Sequence, residues 1–344
     1  MPRLAYLFWF LVLLLSFSVS AIYAEKNLAR PPGTTRYAAM VQELNALVQY
    51  DQAHAGCMTL SSLGKSVQGR DLWMVTVKMP GSPMTGDGNT SHKSIFYLCR
   101  QHGHEPASTE GALAFLTTLV KAEKNTPLAN DLANVTVYVV PMANPDGAEA
   151  FRRHNAHDVD LNRDWLRRTQ PETRALYTEL QHLHPDLVTD QHELYPDDAR
   201  PDFTETAGPG SGAKPDVISA CDETQAVVQG AMQAEGFATV SHLVTDTHPA
   251  RLAHRYISVV AGLPTVLFET NRLTGTGRTV ADRAAAHAKF MMIVLRDMAG
   301  ERPRLLAESA AWDAAHREML ASRHKMPQRP TGKATAVEPS KGTD

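Results

Sequence analysis

The sequence contains little cysteine and has no excess of positive charge. Its 344 residues include only three cysteines, Cys57, Cys99 and Cys221, too few for a disulfide scaffold. Lysine and arginine number 34 against 37 aspartate and glutamate, so the formal net charge of −3 gives no sign of a nucleic-acid partner. Apolar residues make up 43% and charged residues 21%, which is typical of a soluble globular chain. A largely disordered protein and one with many membrane spans are both excluded.

The first 24 residues have the features of a targeting segment. Arg3 precedes a long apolar run that begins at Leu4, and small residues lead to Ala24, after which cleavage would leave Glu25 as the first residue. An uncleaved anchor is the alternative, because about 20 apolar residues can span a bilayer. In either case the rest of the chain is predicted to be exported, periplasmic or secreted. Contact with a membrane is expected only if this segment stays uncleaved.

The remaining chain is predicted to form one folded domain over residues 25–325, followed by a polar, disordered tail over 326–344. No internal repeat or linker divides it, and we expect a monomer. The segment 201–215 is rich in Gly, Pro and Thr and is interpreted as a loop near a functional site.

Strand-like and helix-like segments alternate along this domain. Strands are predicted over 57–63, 71–79, 94–100, 135–141, 187–191, 238–244 and 264–269. Helices are predicted over 37–53, 106–122, 171–183, 214–234, 278–298 and 301–323. Such alternation indicates an α/β sheet that is covered by helices on both faces.

Polar side chains follow four of the predicted strands. These side chains are His102, His104 and Glu105 after the first, Asp160, Asn162 and Arg163 shortly after the second, His192 after the third, and Glu269 after the fourth. In sheets of this kind, ligands bind beyond the carboxyl ends of the strands. We therefore expect these residues to converge at one edge of the sheet.

Their chemistry matches a catalytic zinc site. His102 and Glu105 are three positions apart where a strand turns into a helix, and His192 supplies a third ligand from another strand. Two histidines and one glutamate leave zinc a fourth position for water. Glu269 is then available as a base, and Arg153 and Arg163 can bind an anionic group.

Each of these residues can also be explained by an ordinary role in the fold, without a metal or catalysis. A single His-x-x-Glu pattern is weak evidence for a metal site, and His104 is a rival ligand within the same stretch. His192 alone can be an ordinary core histidine, and Glu269 can cap a helix or pair with a cation. The metal interpretation depends on all of these residues occurring together at successive strand ends.

Five stretches of the sequence resemble the zinc metallocarboxypeptidase family of carboxypeptidases A and B. They occur in the family's order between about residues 60 and 275, and they read LGKSVQGRDL, RQHGHEPASTEGA, PMANPDGAEAFRRHNAHDVDLNRDW, DLVTDQHE and GLPTVLFETN. The resemblance implies a single three-layer α/β/α domain built on a mixed, mostly parallel eight-stranded sheet. It also implies one zinc ion per chain, and peptide substrates with a free C-terminal carboxylate.

The resemblance assigns a role to each candidate residue. His102, Glu105 and His192 bind zinc, and Asp160 orients His102. Glu269 acts as general base and acid, and Arg153 stabilises the oxyanion. Asn162 and Arg163 hold the terminal carboxylate of the substrate.

One departure from the family concerns the tyrosine that closes over the substrate some twenty residues before the catalytic glutamate. The corresponding segment here, residues 246–249, contains no tyrosine, and Tyr256 is too close to Glu269 to match it. A zinc amidase that acts on cell-wall peptides is therefore an alternative function. An exported, inactive binding module is a third, although no ligand or base is missing.

Overall fold

The computed structural model describes residues 29–82, 92–122, 126–244 and 252–324. The predicted targeting segment, the predicted tail and residues 246–249 lie outside these ranges. The strands are β1 (Met58–Lys65), β2 (Asp71–Val77), β3 (Lys93–Cys99), β4 (Val135–Val140), β5 (Leu187–Glu193), β6 (Asp202–Ala207), β7 (Thr239–Val244) and β8 (Thr265–Thr270). The helices are α1 (Tyr37–Gln52), α2 (Ala107–Val120), α3 (Pro127–Asn134), α4 (Pro145–Ala150), α5 (Pro171–Leu183), α6 (Pro215–Ala234), α7 (Ala253–Tyr256), α8 (Val280–Arg296) and α9 (Arg302–His324).

The eight strands form one mixed sheet in the order β1-β2-β4-β3-β5-β8-β6-β7. The four central strands, β4, β3, β5 and β8, run parallel to one another. Strands β1 and β2 are antiparallel to their inner neighbours, and β6 is antiparallel to β8. The carboxyl ends of the central strands therefore meet at one edge, and the predicted α/β fold class is confirmed.

Alternate side chains of the central strands contribute to two cores on opposite faces of the sheet. On β3, Ile95 and Tyr97 belong to one hydrophobic cluster, whereas Phe96 and Leu98 belong to the other. The first cluster includes side chains of α1, α2 and α8, and the second includes side chains of α5 and α7. Because both faces are covered, β3 and β4 are buried along almost their whole length, which explains their continuous apolar sequences.

The prediction of a loop over residues 201–215 was wrong for its first half, which forms β6. Buried threonines in this strand obscure the usual alternation of apolar and polar residues. The side-chain amide of Gln225 on α6 donates to the hydroxyl of Thr204 at 3.1 Å and to its carbonyl at 3.2 Å. This contact with a distant helix thus satisfies the hydroxyl and the carbonyl of Thr204, and no local sequence pattern shows it.

Among the described residues, no helix is long and apolar enough to cross a membrane. The three cysteines are all buried and none is paired.

Helices α2 and α8 approach each other closely over a buried histidine. A Cβ atom on Gly111 would lie 2.5 Å from the Cβ of His287, so the contact requires glycine. His287 is fully buried, with Nδ1 2.9 Å from the Gln191 side-chain oxygen and Nε2 3.2 Å from the Thr270 hydroxyl. Burial lowers the pKa of His287 to about 3, so this imidazole is neutral in the folded protein.

This buried imidazole makes stability depend on pH. The unfolded chain binds a proton on His287 near pH 6.5, whereas the folded chain does so only near pH 3. The unfolded state therefore binds more protons between these values, and the free energy of unfolding falls as the pH falls. We expect His287→Asn to reduce the stability lost between pH 7 and pH 5 by on the order of 1–2 kcal/mol, measured by urea unfolding of zinc-free protein. An unchanged loss in the variant would contradict this assignment.

Candidate metal centre

The predicted site residues meet at the carboxyl ends of β3, β5 and β8. The loop that follows β3 carries His102 and Glu105, β5 ends with His192 and Glu193, and β8 carries Glu269. In the parallel pairing of β5 and β8, His192 lies directly opposite Glu269. Residues opposite each other in adjacent strands project from the same face, so Glu269 lies beside a candidate ligand.

Close backbone packing fixes the loop after β3. A Cβ atom on Gly103 would lie 2.0 Å from the carbonyl carbon of Gly147 at the start of α4, so no other residue fits there. The backbone N–H of Gly103 donates to the Arg153 carbonyl at 3.2 Å. The buried guanidinium of Arg100 donates to the Gly103 carbonyl at 3.1 Å. The sequence Asn-Pro-Asp-Gly forms the first turn of α4, where the Asn144 side chain accepts from the Gly147 N–H.

Three buried side chains form a compact cluster of metal-binding atoms. One donor atom from each of His102, Glu105 and His192 lies within 4.8 Å of the other two. The carboxylate of Glu105 is 2.8 Å from Nδ1 of His102 and 2.9 Å from Nδ1 of His192. The two Nδ1 atoms are 3.0 Å apart. His104, the rival ligand, is outside this cluster, and its ring packs edge-on against Tyr195.

Two further carboxylates orient the imidazoles. The Nε2 atom of His102 is 3.1 Å from Asp160, and that of His192 is 2.9 Å from Asp190. When each Nε2–H donates to its carboxylate, the neutral rings direct their Nδ1 lone pairs toward Glu105. Two lone pairs and a carboxylate facing one another repel unless a cation lies between them, so this donor set suits a metal such as zinc.

The charge state of Glu105 also suits a metal ligand. Burial alone would raise its pKa, but positive charge on the adjacent imidazoles in the metal-free site, which a bound metal ion would replace, holds the pKa of this carboxyl well below its usual range. Glu105 is therefore ionised over the physiological pH range. Its second oxygen also accepts from the backbone N–H of Glu193 at 3.1 Å, which fixes the carboxylate relative to β5.

Two arginines share Asp160 at the mouth of the site. The Nε of Arg153 donates to Asp160 at 3.0 Å, and a second guanidinium nitrogen of Arg153 lies 3.6 Å from Glu105. Arg163 also donates to Asp160, but its side chain is 54% exposed compared with 13% for Arg153. Arg153 is thus held close to the cluster, and Arg163 faces the solvent, where an incoming anion can reach it.

Asn162 presents its amide N–H groups to the site. Its side-chain oxygen accepts from the backbone N–H of Ala253 at 2.8 Å, and this contact determines which way the amide points. The amide nitrogen lies 3.4 Å from Nε2 of His192, whose own hydrogen is directed to Asp190. The amide hydrogens therefore remain available for a substrate group.

Glu269 has the electrostatics of a group that exchanges protons near neutral pH. Burial raises its pKa to about 7, with His192 lowering it in part and Glu105 contributing upward. A carboxyl group with this pKa can accept a proton and return it at physiological pH. The structure places Glu269 in the same cleft as His102, Glu105 and Arg153.

This cleft has a volume of about 270 Å³ and a largely polar lining. Sequence reasoning did not identify several of its residues, namely Tyr195, Arg200, Phe203, Glu205 and His254. The guanidinium of Arg153 lies 5.4 Å from the centre of the Tyr195 ring, so Tyr195 helps to position that arginine. Tyr256, in contrast, is buried against Trp165 on the opposite face of α7 and does not line the cleft.

The chain belongs to the zinc carboxypeptidase family, whose sequence model matches residues 43–240. This range includes the three candidate ligands, Arg153 and the pair Asn162 and Arg163. It does not include Glu269, whose position rests on the pairing of β8 with β5.

Individual relatives support the same assignment. A carboxypeptidase of Arabidopsis thaliana is 34% identical over 136 residues, which cover 36% of this chain and 26% of the relative. A zinc carboxypeptidase of Saccharothrix mutabilis is 28% identical over 152 residues, covering 43% of this chain and 32% of the relative. The chain thus matches only about a quarter to a third of the length of these two relatives.

The fold is also similar to solved structures. A metallo-carboxypeptidase from Burkholderia cenocepacia superposes with a TM-score of 0.63 at 22% identity, over 76% of this chain and 69% of the other. This likeness supports the α/β architecture.

The ligand set predicts how the protein binds metal. We expect the purified protein to retain one zinc ion per chain after dialysis, and His192→Ala to lose it, because a direct ligand is removed. The matched control is His182→Ala, which removes an exposed imidazole from α5 and should leave zinc unchanged. Elemental analysis gives the zinc content. A full equivalent of zinc in His192→Ala would show that the ligand assignment is wrong.

Proposed function

We propose that the protein is a zinc-dependent carboxypeptidase that hydrolyses the C-terminal peptide bond of its substrate. The observation that carries this proposal is the convergence of the cluster His102, Glu105 and His192 with the raised-pKa carboxyl of Glu269 in one cleft. Asn162 and the exposed guanidinium of Arg163 line the same cleft and supply donors for a carboxylate.

In this mechanism, His102, Glu105 and His192 would hold a zinc ion, which would lower the pKa of water to about 7 and polarise a carbonyl group. Glu269 removes a proton from the attacking water and then transfers it to the nitrogen of the leaving amine. Hydrolysis thereby consumes one water and yields a carboxylate and a free amino acid.

The arginines of the cleft have separate roles in the proposal. The guanidinium of Arg153, held beside Glu105, stabilises the negative charge that develops on the carbonyl oxygen of the scissile bond. Arg163 binds the terminal carboxylate of the substrate, and the amide of Asn162 adds further hydrogen bonds. Asp160 holds both guanidinium groups in place and orients His102.

The terminal carboxylate provides the experiment that tests this proposal. A guanidinium binds a carboxylate through two parallel, charge-assisted hydrogen bonds. We expect amidation of the C-terminus of a good peptide substrate to lower kcat/KM by about 30- to 1,000-fold. Arg163→Ala should cause a similar loss on the free acid and little further loss on the amide, because both changes remove the same interaction.

The control is Arg167→Ala, which removes an exposed guanidinium that does not line the cleft and should preserve the preference for the free acid. Equal hydrolysis of acid and amide would contradict the carboxypeptidase proposal. Cleavage of a non-α amide bond in a cell-wall peptide, with no dependence on a free terminus, would favour the amidase instead. A zinc-loaded protein that cleaves neither would favour a binding module.

We further propose that the mature protein is exported after removal of residues 1–24. The support for this is the sequence of that segment, with its basic start, apolar run and small residues before Glu25. N-terminal sequencing of the natural protein should find a chain that begins near Glu25. A chain that retains residue 1 or 2 in membrane fractions would favour an uncleaved anchor.

A further inference from the structure

A further buried carboxylate lies beside the candidate metal cluster. Asp190 is fully buried on β5, two residues before the ligand His192. One of its oxygens, Oδ1, is 2.9 Å from Nε2 of His192 and accepts from the Gln101 amide at 2.7 Å. The other end of the Gln101 amide accepts from the indole N–H of Trp165 at 2.8 Å. These contacts hold Asp190 in one orientation.

The second oxygen of Asp190 faces His254. The distance from Oδ2 of Asp190 to Nδ1 of His254 is 4.0 Å, which is packing contact and too long for a hydrogen bond. Both atoms are completely buried and make no hydrogen bond within the described part of the chain. The opposite nitrogen of the ring, Nε2, donates to Oε1 of Glu205 at 2.7 Å. The imidazole of His254 thus lies between two carboxylates.

Glu205 belongs to the floor of the cleft. On antiparallel β6 and β8, Phe203 lies opposite Glu269, and Glu205 lies opposite Leu267. All four side chains therefore project from one face of the sheet. Arg255 also donates to Glu205 at 2.9 Å. Burial alone would raise the pKa of the Glu205 carboxyl, but His254 and Arg255 lower it to about 2. Glu205 is consequently a fixed anion that anchors His254.

We propose that Asp190 and His254 are positioning residues for the metal ligand His192 and connect it to the floor of the cleft at Glu205. The inference rests on the metal site of the proposed function. Asp190 does for His192 what Asp160 does for His102, since each accepts the hydrogen on Nε2 and leaves Nδ1 free for a metal. The ring of His254 packs against the free oxygen of Asp190 and limits rotation of that carboxylate, because Glu205 fixes the ring on its other side.

The physical reason for retaining these buried charges is orientation. Removing an ionised carboxylate from water is unfavourable unless it is well paired, and an apolar residue would pack on β5 without that desolvation cost. Carboxylates that hold a ligating imidazole raise its basicity and fix its ring, and their loss typically weakens metal binding about 10- to 100-fold. Asp190 therefore acts on metal binding through His192 without touching the metal.

The test measures zinc affinity, by competition with a chromophoric chelator, on the full chain. Asp190→Asn keeps the shape of the side chain but removes its charge, and we expect the zinc Kd to rise about 10- to 100-fold. The matched control is Asp186→Asn, the same change at the other end of β5, where Asp186 binds Ser94 and Lys93. The control should leave the zinc Kd within about twofold of the unmodified protein.

His254→Gln retains a donor for Glu205 but removes the ring nitrogen that faces Asp190. We expect it to raise the zinc Kd by about threefold to tenfold, and to add little to Asp190→Asn in the double variant, because both act through one carboxylate. Cobalt-substituted protein gives a second readout, since a rotated His192 shifts the visible absorption bands in Asp190→Asn and leaves them unchanged in Asp186→Asn.

The outcomes separate this inference from the proposed function. Absence of zinc binding by the unmodified protein would contradict the proposed function itself. Zinc binding by the unmodified protein, with the same Kd and cobalt spectrum in Asp190→Asn, would overturn the inference alone. If Asp190→Asn does not fold, His254→Gln decides the question, and an unchanged Kd in that variant would overturn the inference. If the effects of the two substitutions on the zinc Kd were fully additive in the double variant, His254 would not act through Asp190, and this part of the inference would be wrong.

Discussion

The site depends on how two imidazoles are held through the nitrogen that faces away from Glu105. Nε2 of His102 binds Asp160 and Nε2 of His192 binds Asp190, so both Nδ1 atoms point toward Glu105. His102 lies in the loop after β3 and His192 lies on β5, so the parallel pairing of these two strands sets their separation. A shift of one residue in this register would turn His192 to the other face of the sheet and dismantle the cluster.

The two supporting carboxylates also connect the candidate metal cluster to other side chains of the cleft. Asp160 binds Arg153 and Arg163, whereas Asp190 faces His254 and through it Glu205. Each candidate ligand histidine is therefore linked to other side chains that line the cleft. Such buried networks are costly when incomplete, because an unpaired buried charge loses its hydration without compensation. Both oxygens of Asp160 and Oδ1 of Asp190 are accordingly paired, whereas Oδ2 of Asp190 makes no hydrogen bond within the described residues.

Much of this arrangement could be predicted from the sequence because most of the site residues lie at or just beyond the ends of recognisable strands. The apolar runs locate the central strands, and the polar residues after them, such as His102 and His192, mark the functional edge. Strand β6, which carries Glu205, could not be predicted. The buried Thr204 of this strand is satisfied by a hydrogen bond from Gln225 on a distant helix, which no local pattern shows. Asp190 reads as an ordinary residue of a buried strand, and only the tertiary structure shows its contact with His192. The roles given to Glu269 and Arg163 remain predictions.

The central claim is that Glu269 moves a proton in a reaction at the metal cluster, and the most direct test is to measure zinc content and turnover together in Glu269→Gln. Glutamine keeps the size of the side chain but cannot accept a proton. The account predicts one zinc ion per chain, unchanged thermal stability, and a loss of about 10²- to 10⁴-fold in kcat. A zinc-loaded variant with nearly unchanged kcat would remove Glu269 from the mechanism and contradict the account.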